Sequence, residues 1–341
     1  MKRQQFFTTL VISIFALISN VGFAVEVNEQ VEVSKPAQAV EAKVEKLTAI
    51  EYLQLMQAAY NEKNYEILYL NGLQNQIEPK QLIHGVIDGK ELSYFRYLNG
   101  VMRESLQYSG KVSYFEQGAQ AYTLESAQDR SVFANIANFD YSIGQNSYEY
   151  IILGKGRIAG KRAIAIRMIS RDDYRYSYVV WLDIDSYLPL QLDTLDKSNI
   201  ILEQVMVVSL VVTEQVNPWL EKLSQQQLPQ VLHLNKPSPG HASLWKVNWL
   251  PTGFKVVKDD LHNLVMKENE PVSYIMINDG IVSVSIYIST KKIALAEKQK
   301  IIQRGATVLY TSQKNNIEYN VVGDIPVITA KRLIESITRV Q

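Results

Sequence analysis

Short runs of alternating apolar and polar residues, separated by turn residues, occupy most of the chain between positions 65 and 213. Such alternation is typical of β-strands with one buried face. Asn99-Gly100 lies between two of these runs and predicts a type I′ hairpin turn, in which both central residues take positive φ. The predicted strands are Tyr65–Leu70, Gln81–Asp88, Glu91–Leu98, Val101–Tyr108, Val112–Phe115, Ala121–Leu124, Tyr148–Leu153, Arg162–Ser170 and Ile200–Thr213.

The densest part of this pattern runs from Arg171 to Asp196 and predicts a hairpin of two long strands, Tyr174–Leu182 and Leu188–Leu195. Successive side chains of a strand point to opposite faces, and here neither face is purely polar. We expect this hairpin to be covered on both sides or to line an apolar groove. With it, the meander has ten or more antiparallel strands, which is long enough to curl into a barrel or part-barrel.

Two helices are predicted beside the strands. Thr48 and Glu51 have the spacing of a capping box before an amphipathic helix of about four turns. The segment 131–141 spaces its apolar residues helically and predicts a second helix. Helices that cover a strongly curved, unclosed sheet leave an apolar groove, which is a natural ligand site.

The character of the sequence changes at residues 216–240, which are rich in proline and glutamine and predict an interdomain linker, helical near Pro218. A smaller α+β domain is expected from residue 241 to 341. It contains strands joined at Asp279-Gly280, a hairpin from Ala306 to Val322, and a closing helix that starts at Pro326 and turns Val327, Ala330, Ile334 and Ile337 to one face. The predicted fold class is α+β and mainly antiparallel β, with an unclosed barrel over residues 47–215.

The N-terminus has the features of an exported protein. Lys2 and Arg3 precede an apolar run that ends near the small-residue site at Ala24, so residues 1–24 predict a cleaved secretory signal peptide and export of the chain. Residues 25–46 have no aromatic residue and predict a mobile arm. The chain has no cysteine, which excludes disulfides and thiol catalysis.

Composition narrows the classes of partner. The 341 residues are 47% hydrophobic, and 35 basic side chains balance 35 acidic ones, so nothing in the net charge favours nucleic acid. The cluster Lys291, Lys292, Lys298, Lys300 and Arg304 fits an acidic partner or a lipid phosphate, but a solvated surface is the simpler explanation.

Motifs for catalysis or cofactors are weak. Gly154, Gly156 and Gly160 lack dinucleotide spacing and are followed by a strand, where a helix is needed. Asp183 and Asp185 fit a hard cation or an exported hydrolase that works through carboxylates, but turn capping is the simpler role. We therefore expect neither an enzyme nor a metal or cofactor site.

Aromatic residues are the more suggestive feature, because the chain has 20 tyrosines, many of them on predicted strands. A tyrosine combines an apolar ring with a polar tip and suits the mouth of a lipid pocket, while core packing is the alternative. The candidate groove residues are Tyr94, Tyr114, Tyr176, Tyr178 and Trp181. If Trp181 is a core residue, its replacement by alanine costs about 3–5 kcal/mol.

Short motifs at widely separated positions carry a family resemblance. They include Leu98-Asn99-Gly100, Ser113–Glu116, Arg175, Ser177, Trp181, Asp183, Leu188, Pro189, Asp193, Trp249, Leu250, Pro251, Gly253, Phe254 and Asp279-Gly280. With these residues the chain resembles the RseB/MucB family of periplasmic sigma-E regulators, in order along both domains from about Ala49 onwards, and a periplasmic location is implied. Gln117 departs from a proline expected there.

This resemblance implies a large domain like the LolA and LppX lipoprotein carriers. It also implies binding to the periplasmic part of an RseA/MucA-type anti-sigma factor, which is thereby shielded from the protease DegS. A lipid, lipopolysaccharide or lipoprotein acyl chain is implied as the releasing signal. The family has no catalytic residues to transfer. A lipid or lipoprotein carrier without a regulatory role is the alternative function, and self-association into a homo-oligomer is left open.

Overall fold

The structure is a computed structural model that describes residues 47–73, 76–125, 132–232, 244–262, 272–290 and 298–340. The predicted signal peptide and arm lie outside the described residues. Within the described ranges, no helix is long and apolar enough to cross a bilayer.

The larger domain is built on one antiparallel sheet of eleven strands. Along the sheet their order is β6-β5-β4-β3-β2-β1-β11-β10-β9-β8-β7, so β6 and β7 are the end strands, they do not pair with each other, and the barrel is unclosed, as predicted. The strands are β1 (Asn64–Leu73), β2 (Gln76–Ile87), β3 (Lys90–Tyr97), β4 (Arg103–Tyr108), β5 (Lys111–Glu116), β6 (Tyr122–Glu125), β7 (Tyr148–Ile158), β8 (Lys161–Ser170), β9 (Ser177–Asp183), β10 (Pro189–Leu195) and β11 (Ile201–Thr213).

The turns show where local sequence decides the conformation. Asp88 and Gly89 take φ of 51° and 71°, and Ser109 also has a positive φ, of 52°. The predicted type I′ turn at Asn99-Gly100 is wrong, because only Gly100 has positive φ. The last pair of the β3–β4 ladder is Arg96 with Glu104, so the two strands are joined by a longer loop over residues 97–103.

Three helices pack on one face of this sheet, which we call the core face. Helix α1 (Ala49–Glu62) begins with the predicted capping box: Thr48 N–H donates to Glu51 at 2.6 Å, and Glu51 N–H donates to the Thr48 hydroxyl at 3.3 Å. Its Leu53 and Met56 are fully buried.

The single helix predicted over 131–141 is two short helices, α2 (Ala134–Ala137) and α3 (Tyr141–Gly144). Asp140 interrupts the helix because its carboxylate accepts the N–H groups of Ser142 and Ile143 and so starts α3 as an N-cap.

The segment predicted as the start of the linker belongs to the larger domain. Helix α4 (Pro218–Ser224) buries Leu220 against Ile83 and Tyr94 on the face opposite the core face. Further on, the Leu232 N–H donates to the Thr123 carbonyl at 2.8 Å. The predicted linker boundary at residue 216 is therefore too early, because an apolar helix face follows the proline and packs on the sheet.

The smaller domain contains a six-stranded antiparallel sheet in the order β13-β14-β15-β18-β17-β16, and helix α5 (Val327–Glu335) packs on it through Ala330 and Leu333. A short pair, β12-β19, lies beside it. The strands are β12 (Trp245–Val247), β13 (Lys255–His262), β14 (Val272–Asn278), β15 (Ser283–Thr290), β16 (Lys298–Arg304), β17 (Thr307–Lys314), β18 (Ile317–Gly323) and β19 (Ile337–Arg339). Ile337, predicted on the helix face, starts β19 instead.

Candidate functional site

The start of the β9-β10 hairpin forms the junction between the two domains. The Arg175 guanidinium lies 3.2 Å from the Asp279 carboxylate in the smaller domain and 3.2 Å from Asp172 in its own domain. It also donates to the Thr252 carbonyl. The side chains of Arg175 and Asp279 are each only 2% exposed, so this ion pair is part of the buried contact between the domains.

Burial and charge oppose each other in this pair. Burial raises the pKa of Asp279, while the N–H groups of Val282 and Ile281 and the Arg175 guanidinium oppose that rise. Burial lowers the pKa of Arg175, but Tyr148 and Asp172 raise it by more, so the net shift of the Arg175 pKa is upward. The arginine therefore stays charged, and the carboxylate depends on it for compensation.

Two tyrosines on either side of Arg175 also bridge the domains. The Tyr176 hydroxyl donates to the Ile325 carbonyl at 3.0 Å. The Tyr174 ring packs edge-on against Trp249 with 4.8 Å between centroids, and the Tyr174 carbonyl accepts from the Thr329 hydroxyl at 2.9 Å. The Arg332 guanidinium lies 4.3 Å from the Trp249 ring centroid, a cation–π distance.

The motif of the smaller domain, residues 249–254, packs against the same junction. Pro251 and Phe254 are buried, and the Phe254 ring lies 5.5 Å from the Arg175 guanidinium. Leu250 joins Trp249 at the edge of the core. Gly253 has φ of 83°, and a Cβ at this position would lie 2.9 Å from the Ser147 hydroxyl, so glycine is required there.

The remaining motif residues of the hairpin have structural contacts within the larger domain. The Asp183 carboxylate accepts from the Ser186 N–H and hydroxyl, which fixes the turn before the fully buried Leu188 and the buried Pro189. Ser177 accepts from the Ser170 N–H at 3.1 Å.

Asp193 lies inside a small amide network. Its carboxylate accepts from the Gln191 amide at 2.9 Å and from the Gln204 amide at 2.8 Å. These contacts account for Asp193 without a ligand.

The five candidate groove residues do not share one surface. By strand register, Tyr114 and Tyr178 lie on the core face, and Tyr176 lies at the domain junction. Tyr94 packs with Leu220 under α4, and Trp181 packs with Val179 on the face opposite the core face. A single groove lined by all five is therefore not formed.

One candidate lines a pocket between the two domains, which we call the interdomain pocket. It has a volume of about 160 Å³. The larger domain contributes Tyr178, Leu192, Thr194, Glu203 and Val205, among others, and the smaller domain contributes Ile281, Val282, Ala306 and Asp324.

Glu203 is the pocket residue that sequence analysis missed. Thr194 pairs with Tyr178 on one side and Glu203 on the other, so these three side chains form a row across adjacent strands. Burial and the charge of Asp324 raise the pKa of Glu203, and hydrogen bonding from Asn71 opposes the rise. The sequence does contain a signal for Glu203, because this acidic residue alternates with Val205 and Val207 on an otherwise apolar face.

These features define a class of two-domain β-protein in which an unclosed, helix-covered sheet is joined through a buried ion pair to a small α+β domain. The family models agree with this division: residues 48–232 match the MucB/RseB N-terminal domain, and residues 239–338 match the MucB/RseB C-terminal domain. The chain belongs to the MucB/RseB family.

Curated relatives match over most of their length. The sigma-E factor regulatory protein RseB of Salmonella typhimurium is 30% identical over 288 residues, which are 84% of this chain and 89% of the relative. The sigma factor AlgU regulatory protein MucB of Pseudomonas aeruginosa is 24% identical over 294 residues, covering 85% and 90%.

Solved structures confirm the fold. The MucA/MucB complex of Pseudomonas aeruginosa aligns with a TM-score of 0.70 at 22% identity, covering 86% of this chain and 99% of that chain. A crystal structure of MucB bound to MucA(peri) aligns with a TM-score of 0.69 over the same shares.

Proposed function

We propose that this protein is a periplasmic negative regulator of an envelope-stress sigma factor. In this proposal it binds the periplasmic part of an anti-sigma factor like MucA and shields that part from proteolysis. The observation that carries the proposal is the two-domain arrangement, which is similar over 86% of the chain to MucB in its complex with MucA. The family membership and the regulatory names of the relatives support it further.

We further propose that a lipid or lipoprotein acyl chain releases the partner. The unclosed sheet supports this step because its end strands β6 and β7 do not pair with each other, so the barrel stays open between them. A pocket of about 500 Å³, lined by Tyr65, His84, Val211 and Val216, lies within the usual range of small-molecule sites. A ligand releases a partner only if it prefers a different arrangement of the protein, because equal affinity for both states shifts nothing.

The test uses the chain from Val25 onwards and the periplasmic region of the MucA-type anti-sigma factor from the same organism. Calorimetry measures the dissociation constant with and without lipid A or a diacylated peptide, and timed digestion of the anti-sigma region by a DegS-type protease measures shielding. We expect tight binding and slow cleavage without lipid, and weaker binding with it.

The outcomes separate the two parts of the proposal. Equal affinity with and without saturating lipid would exclude release by that lipid. A protein that binds the acylated peptide and leaves the anti-sigma region unbound and unprotected would be a carrier without a regulatory role.

A further inference from the structure

The interdomain pocket contains negative charge without a counter-ion. Glu203 from the larger domain and Asp324 from the smaller domain both line it, and neither forms an ion pair with a cation among the described residues. The nearby Lys80 is engaged with Glu78 at 3.0 Å and with the Tyr97 ring at 4.7 Å. Asp324 accepts one hydrogen bond, from the Thr307 hydroxyl at 2.6 Å.

A second observation in the same pocket also points to an absent ligand. Tyr178 is only 4% exposed, lines the pocket, and forms no hydrogen bond with any described residue through its hydroxyl. The hydroxyl oxygen is not among the fully enclosed side-chain atoms that lack a partner, so it opens to the pocket and is available to a ligand there. Burial raises the pKa of Tyr178 well above its usual value, so the group stays a neutral hydroxyl whose oxygen accepts hydrogen bonds.

The shape and lining of the pocket limit what occupies it. About 160 Å³ is well below the roughly 300–1,000 Å³ of typical small-molecule sites, so a whole lipid does not fit. Its walls are mainly apolar, through Ile136, Leu192, Val205, Ile281 and Val282. A bare Ca²⁺ ion needs six to eight oxygen ligands, and these walls do not supply them. A cation on an apolar stem matches both the charges and the walls.

We propose that the interdomain pocket receives one lysine or arginine side chain from a protein partner, with its charged tip between Glu203 and Asp324 and within reach of the Tyr178 hydroxyl. This inference rests on the proposed function, because it gives the chemistry by which the anti-sigma region is held. The inserted cation bridges carboxylates of two domains, so binding favours the arrangement in which these domains are close.

The first experiment measures affinity for the anti-sigma periplasmic region by calorimetry. Each lysine and arginine of that region is changed singly to alanine and tested against the wild type, Glu203→Gln, Asp324→Asn and the control Glu149→Gln, which alters an exposed carboxylate on β7. We expect one basic residue whose loss weakens wild-type binding about tenfold or more. The same change should have little effect on Glu203→Gln and its full effect on the control.

A stability measurement separates ligand binding from a structural role. Without a partner, Glu203→Gln removes a partly buried charge that Asp324 repels, so the melting temperature of this variant should equal or exceed that of the wild type. A clear loss of stability would assign Glu203 a structural role and overturn the inference.

A second probe keeps the inference distinct from the proposed function. N-acetyl-arginine methylamide is titrated into the full mature chain while NMR follows the Tyr178 ring, and we expect saturable, millimolar binding that is lost in Glu203→Gln. If the wild type binds the anti-sigma region and no basic residue couples to Glu203 or Asp324, the inference fails while the proposed function stands. If the region does not bind at all, the proposed function fails, and the arginine probe alone decides the inference. In that case, a Tyr178 signal that does not change on titration with the probe overturns the inference.

Discussion

Arg175 and Asp279 are 104 residues apart in sequence, yet their charged groups lie 3.2 Å apart with both side chains almost fully buried. They come from different domains, and the Asp279 carboxylate also accepts the N–H groups of Ile281 and Val282. This pair therefore fixes the hairpin of the larger domain to a tight turn of the smaller one.

Replacing Arg175 by methionine should destabilise the protein by about 3–5 kcal/mol, because it leaves the buried Asp279 carboxylate uncompensated. Urea unfolding of the full mature chain measures the change. The double variant with Asp279→Asn should lose less than the sum of the two single losses, because neither charge then remains unpaired. A loss below about 1 kcal/mol for Arg175→Met would contradict this account of the junction.

Tyr176→Phe should cost about 1–2 kcal/mol, because it leaves the buried Ile325 carbonyl without its hydrogen-bond donor. Tyr52→Phe is a matched control: the Tyr52 ring packs on Tyr187, and its hydroxyl forms no hydrogen bond with a described residue. The unfolding free energy of Tyr52→Phe should stay within about 0.5 kcal/mol of that of the wild type. Equal losses for the two variants would show that the Tyr176 contact contributes nothing specific.

Much of the fold was predictable because its determinants are local. The Thr48 and Glu51 capping box needs only residues three apart, and positive φ at Asp88 and Gly89 is the conformation that an Asp-Gly pair adopts readily in a hairpin turn. Alternation of apolar residues located the strands of the unclosed sheet, and the boundaries differ mainly where strands such as β7 continue past the apolar run.

The site was less predictable because it depends on which elements meet. Tyr94 and Tyr178 look alike in sequence, but only the strand register shows that they lie on opposite faces. Glu203 stands out as an acid among apolar core-face positions, yet its neighbour Asp324 belongs to the other domain. No local pattern relates residues so far apart along the chain.

Trp181→Ala should cost about 2 kcal/mol, below the range expected for a core tryptophan, because Trp181 is only half-buried on the face opposite the core face. Its ring lies over Gly156, where an added Cβ would come within 2.7 Å of ring carbon Cζ3. Gly156→Ala should therefore displace the indole and change its fluorescence. The double variant of Gly156→Ala with Trp181→Ala should tolerate the alanine at position 156, because the indole ring is gone. Thermal unfolding and tryptophan emission check both; a loss above about 4 kcal/mol for Trp181→Ala would place the ring in the core.

Glu203 should give the stability of the protein a characteristic pH dependence. Burial and Asp324 raise its pKa in the folded state above the reference value of 4.5. A carboxyl group whose pKa is higher in the folded state contributes stability that is fully present below about pH 4.5 and is lost as the pH rises through the folded pKa. Glu203→Gln keeps a neutral group at every pH, so its stability advantage over the wild type should be smallest near pH 4 and should grow towards pH 7. Urea unfolding across this range measures the difference, with Glu149→Gln as the exposed control; an advantage that shrinks as the pH rises would show that the folded protein favours the charged form of Glu203.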